Sequence, residues 1–380
     1  MNETIFDTIS IDRSVIKWSD YMFHLTPVEK IGNTYFKRED KFAPLGYGGI
    51  NGSKLRQCIW LVDEYVKTGK NPVGIISGTS VKSPQLPMGS AVAEHYNLNS
   101  IHVIGATKPS IAHKHENVAM ATWFNAKFYV NPNIAYNPVL QRKVKELLEN
   151  DDRLKDYFYL EYGITLDHKT NPSNRVERFH YIGSEQVRNI PDNIENLIIP
   201  AGSCNSCTSI LYGIARFKPK SIKNIYLIGI GPNKIDFIEE RLDIIEKVSG
   251  IYTKPYTRIY HDSPNIQKKY DNNFENFYEN NVNYRFNLHH FDLHTTKYVD
   301  YQDEMLYTYE DIELHPTYEG KVMTYVMEKL PQLINDKTLF WIVGSKPRKE
   351  NMYNYLFEKY GNFPNGIREY KCETNIRALV

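Results

Sequence analysis

The 380-residue sequence predicts an α/β protein with mainly parallel sheets. Two observations carry this. Short apolar runs ending in Gly or Ser recur along the chain, and the spacing between them leaves room for helices. In order, the runs are "VGIISG" (73–78), "SIHVIGA" (100–106), "AKFYVN" (126–131), "NLIIPAG" (196–202), "NIYLIGIG" (224–231) and "TLFWIVGS" (338–345). A continuous apolar run is what a parallel strand covered on both faces requires. Helices are expected over 54–68, 89–96, 138–149 and 205–217. The polar, turn-rich stretch 166–181, "LDHKTNPSNRVERFHY", reads as an irregular connection near the ligand crevice at the strand ends.

A hydrophobic content of 41% over this length supports a sizeable core divided between two domains. Lys plus Arg (46) balances Asp plus Glu (45), so no global field draws the protein to nucleic acid or an anionic membrane. The local basic stretch Lys346-Pro-Arg-Lys349 reads as solvated surface. No apolar run reaches bilayer length, and "MNETIFDTIS" lacks the pattern of a secretion signal, so a cytoplasmic location is expected. Four cysteines in such a chain make no disulfide framework.

Two of those cysteines lie in "AGSCNSCTSILYG" (201–213). A buried strand precedes this loop and a helix follows it, so backbone N–H groups and the helix dipole converge there, as in an anion site. A metal site would need two further soft ligands, and neither Cys58 nor Cys372 has a partner at metal spacing, so no metal is expected. A redox pair would need an exposed Cys-x-x-Cys opening a helix near the start of a βαβ unit, and only the helix is supplied. Phosphate binding is the preferred reading, although such loops also occur without ligands.

Three stretches in order make the reading specific. "YFKREDKFAPLGYGGINGSKLRQ" (35–57) resembles the lysine segment of fold type II pyridoxal-phosphate (PLP) enzymes, the tryptophan synthase beta-like superfamily. The likeness is greatest to the aminocyclopropane-carboxylate deaminase and D-cysteine desulfhydrase group. "AGSCNSCTSILYG" is similar to that family's phosphate loop, with Cys204 and Asn205 in place of glycines, and "HPTYEGKVMTYV" (315–326) resembles the group's Tyr-Glu-Gly-Lys segment. The resemblance implies two domains, each with a mainly parallel twisted sheet flanked by helices, and a cofactor in the cleft between them. A large cofactor-binding domain is expected over 1–70 and 160–380, with a smaller domain, 71–159, inserted in it. The cofactor implied is pyridoxal 5'-phosphate and the oligomer a homodimer.

The resemblance also assigns roles. Lys54 carries the cofactor as a Schiff base and moves a proton. Gly202, Ser203, Cys204, Asn205 and Ser206 bind its phosphate, and Ser345 contacts it. Glu319 faces the pyridine nitrogen and strengthens the electron sink for an α-carbanion. Tyr318 is the proton donor or nucleophile activator, with Tyr298 or Tyr301 as stand-ins. Lys37, Arg38, Glu39 and Asp40 read as structural ion pairs. The pattern breaks at "GTSVKSPQLPMGSAVAEHY" (78–96), the family's carboxylate-gripping segment. Ser83 survives, but Pro84 replaces an asparagine and Pro87 follows, removing an amide side chain and two backbone donors. Gln85, Thr79, Tyr301 or groups in 166–181 are the candidates for compensating at the substrate.

The default function is therefore a PLP-dependent deaminase or lyase acting on a small amino acid. The altered loop motivates an alternative, in which the same cofactor processes, for instance by decarboxylation, an amino-acid group attached to a larger substrate. A modified nucleotide in phage DNA is one such substrate, since phage base-decorating pathways use enzymes of this type and the Asn-, Lys-, Ile- and Tyr-rich composition suits an AT-rich genome. Nucleic acid is a partner only in that case, and a membrane in neither. A third reading, a non-catalytic cofactor-binding relative, conflicts with the joint presence of Lys54, Tyr318 and Glu319.

Overall fold

The computed structural model describes residues 22–45, 50–69, 71–133, 136–232, 234–261, 284–300, 303–350, 352 and 376–378. Its strands are β1 (Val28–Ile31), β2 (Thr34–Arg38), β3 (Gly74–Gly78), β4 (Asn99–Gly105), β5 (Lys127–Asn131), β6 (Phe158–Tyr159), β7 (Asn196–Ala201), β8 (Asn224–Gly229), β9 (Tyr256–Tyr260), β10 (Phe286–Asp292), β11 (Tyr307–Tyr309), β12 (Ile312–Leu314), β13 (Thr338–Ile342) and β14 (Ile376–Ala378). The α-helices are α1 (Ser53–Thr68), α2 (Gln85–His95), α3 (Glu116–Thr122), α4 (Asn137–Asn150), α5 (Ser173–Ser184), α6 (Asn205–Phe217), α7 (Ile235–Ser249) and α8 (Glu319–Lys329). No helix among the described residues is long and apolar enough to cross a membrane.

The chain packs as two compact units. The described residues up to Lys41, with His168–Ser345, form the larger one. Its seven-stranded sheet has the order β1-β2-β13-β7-β8-β10-β9, and every pair except β1–β2 is parallel. Alternate residues of β7 and β8 serve opposite faces. Leu197, Ile199, Ile225 and Leu227 pack with α6 and α7, whereas Ile198 and Ile228 pack with Val322, Met323 and Val326 of α8. Both faces are covered, which is why these strands appear in the sequence as unbroken apolar runs.

Phe42–Asp167 and the described residues after Ser345 form the second unit, around a parallel sheet of order β14-β5-β4-β3-β6. The described residues of 42–69, with 160–167, thus pack with the smaller sheet, whereas the sequence reading assigned them to the large domain. The contacts give the reason. The Tyr65 ring of α1 stacks on Phe158 at 5.3 Å, and Tyr96 donates to Asp63 of α1 at 3.2 Å. Leu160 N–H donates to Ile76 O at 2.8 Å, extending the sheet past β6.

The polar stretch 166–181 is not wholly irregular, because α5 begins within it at Ser173. Val176, Phe179, His180 and Ile182 are buried, and a buried histidine in place of an aliphatic residue hid the helical period. Of the four motif residues read as ion pairs, Arg38 does pair with Glu29 and Asp40, both at 2.7 Å. Lys37 donates to Thr26 O and Asn189 Oδ1, and Glu39 accepts from Thr26 Oγ1.

Helices α5 and α6 cross where Gly213 meets the end of α5. A methyl group there would collide with Ser184 O and the Val187 side chain. Gly213→Ala should therefore lower stability by roughly 1–3 kcal/mol, the usual cost of overpacking. Chemical denaturation would check this, and an unchanged midpoint would contradict it.

Candidate active site

In the larger unit, β7 ends at Ala201, and Gly202 and Ser203 lead to Cys204, which caps α6 with φ 65°. The left-handed residue of the loop is thus Cys204. Asn205 is already helical and its side chain is buried. The first turn of α6 leaves N–H groups without intrahelical acceptors, the requirement for holding a phosphate. Ser203 and Ser206 stand half-buried at this turn.

The two cysteines are buried free thiols. Cys207 Sγ donates to Pro200 O and Cys204 Sγ to Gly202 O, each at 3.6 Å. Hydrogen bonding to Cys204, with burial, pushes the Cys207 thiol up, so it stays protonated. The described residues contain no cluster of three or more His, Cys, Asp or Glu able to hold a metal. Sulfur therefore packs the base of the loop.

His180, which the sequence did not single out, supports that base. Ser209 Oγ donates to Asn205 O at 3.1 Å, so the 3.0 Å contact with His180 Nδ1 requires a proton on Nδ1. Burial holds this histidine well below its ordinary range, and it is neutral.

Glu319 opens α8 and is fully buried. Its Oε1 accepts Val343 N–H at 2.8 Å, and its Oε2 has no hydrogen-bond partner. Burial raises its pKa to about 8, with the charge of Asp40 adding to the rise and backbone N–H groups opposing it. A buried carboxyl with one open oxygen fits a basic ring nitrogen, which would supply the missing partner and the compensating charge. Ser345 lies two residues beyond Val343, after β13. Next to Glu319, the Tyr318 ring lies over Gly202, where a Cβ would come within 3.2 Å of it. The ring also meets His315 edge-on at 4.7 Å. Gly320 permits close approach of Met305 O, and Lys321 Nζ anchors Asp300 O at 2.6 Å. The larger unit therefore brings Tyr318 against Gly202 in the loop that opens α6. Tyr298, the proposed stand-in, donates to Glu328 on α8, and Tyr301 lies outside the described residues.

In the other unit, Lys54 is the second residue of α1 and half-buried. Gly52, at φ 92°, caps that helix and donates to Phe42 O at 3.0 Å. A φ of this value favours glycine, so glycine is a structural requirement at position 52.

The loop 79–88 is donor-poor. Lys82 N–H goes to Ser80 Oγ, Ser83 N–H to Ser80 O, Gln85 N–H to Ser83 Oγ, Leu86 N–H to Ser83 O and Met88 N–H to Pro84 O. Pro84 and Pro87 have no N–H to give. Gln85 does not compensate. Its Oε1 accepts Gly163 N–H at 2.8 Å and its Nε2 donates to Glu161 O at 2.9 Å, so its amide holds the 161–163 turn. Thr79 Oγ1 is buried without a hydrogen-bond partner. Beneath the loop, His102 bonds Ser77 at 2.7 Å and Ser90 at 2.8 Å, tying α2 to β3 and β4.

The Glu319 environment predicts a pH effect on the cofactor-free protein. Its folded pKa lies above the unfolded value, so the folded state holds the extra proton between about 4.5 and about 8. Stability falls as pH rises through that window. Glu319→Gln, which keeps an acceptor for Val343, should flatten the slope of melting temperature against pH. An equal slope in both proteins would contradict the assignment.

No family model matches the chain. It is 47% identical over 379 aligned positions to the O-seryl-dTMP PLP-dependent decarboxylase of Salmonella phage ViI, covering 92% of this chain and 88% of that one. Among solved structures, an ACC deaminase homologue superposes with a TM-score of 0.59 at 15% identity, covering 88% of this chain and 94% of that one. The O-acetylserine-dependent cystathionine beta-synthase of Helicobacter pylori gives a TM-score of 0.49 at 14% identity, over 88% and 97%. By its identity to a PLP-dependent enzyme over nearly its whole length, and by its fold, the chain belongs to the fold type II pyridoxal-phosphate-dependent enzymes.

Proposed function

We propose that this enzyme decarboxylates an amino-acid group, seryl in the first instance, that is attached to a nucleotide. The observation that carries the reading is the loop 79–88, where each N–H from Lys82 to Met88 is either bonded internally or removed by proline. A deaminase keeps its substrate's carboxylate and needs donors to hold it. A decarboxylase must release that group, and a loop whose backbone donors from Lys82 to Met88 are spent, bordered by the buried side chains of Val81, Leu86 and Met88, disfavours the localised charge that CO2 loss removes. The phage relative, whose name specifies O-seryl-dTMP, supports the same reading.

Lys54 would hold the cofactor covalently, Ser203, Ser206 and the first turn of α6 its phosphate, and Glu319 its ring nitrogen. Bound pyridoxal phosphate supplies a sink for the electron pair left when a bond to the substrate α-carbon breaks. Glu319, ionised once it faces a protonated ring nitrogen, keeps that proton in place. Lys54 then delivers a proton to the α-carbon after CO2 departs, and the product retains its amine. Tyr318, lying over Gly202, screens the loop from water and orients the substrate oxygen nearest it.

Borohydride reduction of the holoenzyme should place a pyridoxyl adduct on Lys54, and Lys54→Ala should abolish CO2 release from a carboxyl-labelled seryl nucleotide. An adduct on another lysine would remove the basis of the assignment. Pro84→Asn restores an amide and one backbone N–H to the loop. Its effect should be slower CO2 release with faster exchange of the substrate α-proton, each by roughly tenfold or more, the scale of one charge-assisted hydrogen bond. Equal partitioning in both proteins would count against the loop as the determinant.

A further inference from the structure

The larger unit contains a solvent-open cleft at the carboxyl ends of β7, β8, β9 and β10. It starts at the phosphate loop, where Ala201 and Cys204 line it, and extends along the start of α7. The active-site roles described above leave most of it unused.

Its architecture is that of a mononucleotide site. Strand β8 ends at Gly229, and Gly231, Pro232 and Lys234 lead into the fifteen-residue helix α7, which Lys234 caps. Glycines between a strand and a helix N-terminus let a phosphate or sugar approach the backbone. Gly229 is packed closely enough that a Cβ would lie 3.1 Å from Phe291 O. Lys234 is exposed at the rim and adds a positive charge. Across the register from Gly229 stands Asp292, at the end of β10, its carboxylate oriented by Thr295 N–H at 2.8 Å and Thr295 Oγ1 at 2.7 Å. A carboxylate at a neighbouring strand end is the group that bonds a sugar hydroxyl in dinucleotide folds. Leu227, Ile235 and Ile238 give an apolar floor.

One wall is flat. The Tyr260 and His290 rings stack at 4.9 Å and 17°. Burial, with Arg258 next in effect, pushes His290 down to about 3, so it is neutral at physiological pH, and its Nε2 has no hydrogen-bond partner. A neutral aromatic wall suits a nucleobase.

We propose that this cleft binds the nucleotide portion of the substrate, with its phosphate at Lys234 and Gly231, a sugar hydroxyl at Asp292 and its base along Tyr260 and His290. The proposal rests on the seryl-nucleotide reading above. It also places the amino-acid group on the phosphate-loop side, because Cys204 lines both.

Calorimetric titration of the holoenzyme with dTMP, thymidine and a short single-stranded oligodeoxynucleotide tests it. Saturable dTMP binding is expected, with thymidine weaker. Lys234→Ala, an exposed position whose melting temperature serves as folding control, should weaken dTMP by roughly tenfold and thymidine much less. His290→Ala should weaken both. Lys234-dependent binding of the oligonucleotide in preference to dTMP would identify the nucleotide as one in a DNA strand, and the reverse as a free nucleotide. Absence of saturable binding by all three, or binding of each indifferent to both substitutions, would overturn the proposal. CO2 release from a seryl nucleotide is assayed separately. Lys234-dependent binding without CO2 release would sink the decarboxylation reading and leave the subsite standing, and the opposite result would sink the subsite alone.

Discussion

The site depends on keeping one carboxyl group dry. Glu319 has no exposed surface, and only one of its oxygens has a partner, the Val343 N–H just beyond β13. An acid in that condition keeps its proton to about pH 8, at a cost in folding free energy that a solvated glutamate would not incur. Such a group makes sense where a basic partner arrives with a compensating charge. The surrounding structure is arranged to hold it. Gly320 lets α8 start against the chain at Met305, Lys321 anchors the segment at Asp300, and Val322, Met323 and Val326 pack the helix onto the sheet.

Much of the fold was legible in the sequence, for a physical reason. Strands β3, β4, β7, β8 and β13 are largely buried and so consist mainly of apolar residues. Strand β10, "FNLHHFD", was missed because His289 and His290 are in places that aliphatic residues fill elsewhere, the former stacked on Tyr226 at 4.6 Å and the latter on Tyr260. The same substitution, His180 in α5, concealed a helix. The domain boundary escaped the sequence because it is set by single contacts such as Tyr65 with Phe158, whose partners are far apart along the chain.

The candidate site was legible as motifs but not as contacts. Lys54, Gly202, Tyr318 and Glu319 could be named from three stretches, yet nothing local marked Cys204 as the left-handed residue or His180 as the support under α6. Gln85 shows the limit well. Its position beside Pro84 suggested a substrate ligand, whereas its amide is fully engaged with backbone groups more than seventy residues away. The two prolines were visible in the sequence, but only the hydrogen bonds of the loop reveal that its remaining donors are also consumed.

The most direct test of the account is the protonation state of the cofactor's ring nitrogen, read by NMR of holoenzyme loaded with cofactor labelled at that atom. A carboxylate facing the ring predicts a protonated nitrogen in the wild type and an unprotonated one in Glu319→Gln, with the cofactor bound in both. A nitrogen that is unprotonated in the wild type, or unaffected by the substitution, would contradict the placement of Glu319 at the ring and the electron sink that depends on it.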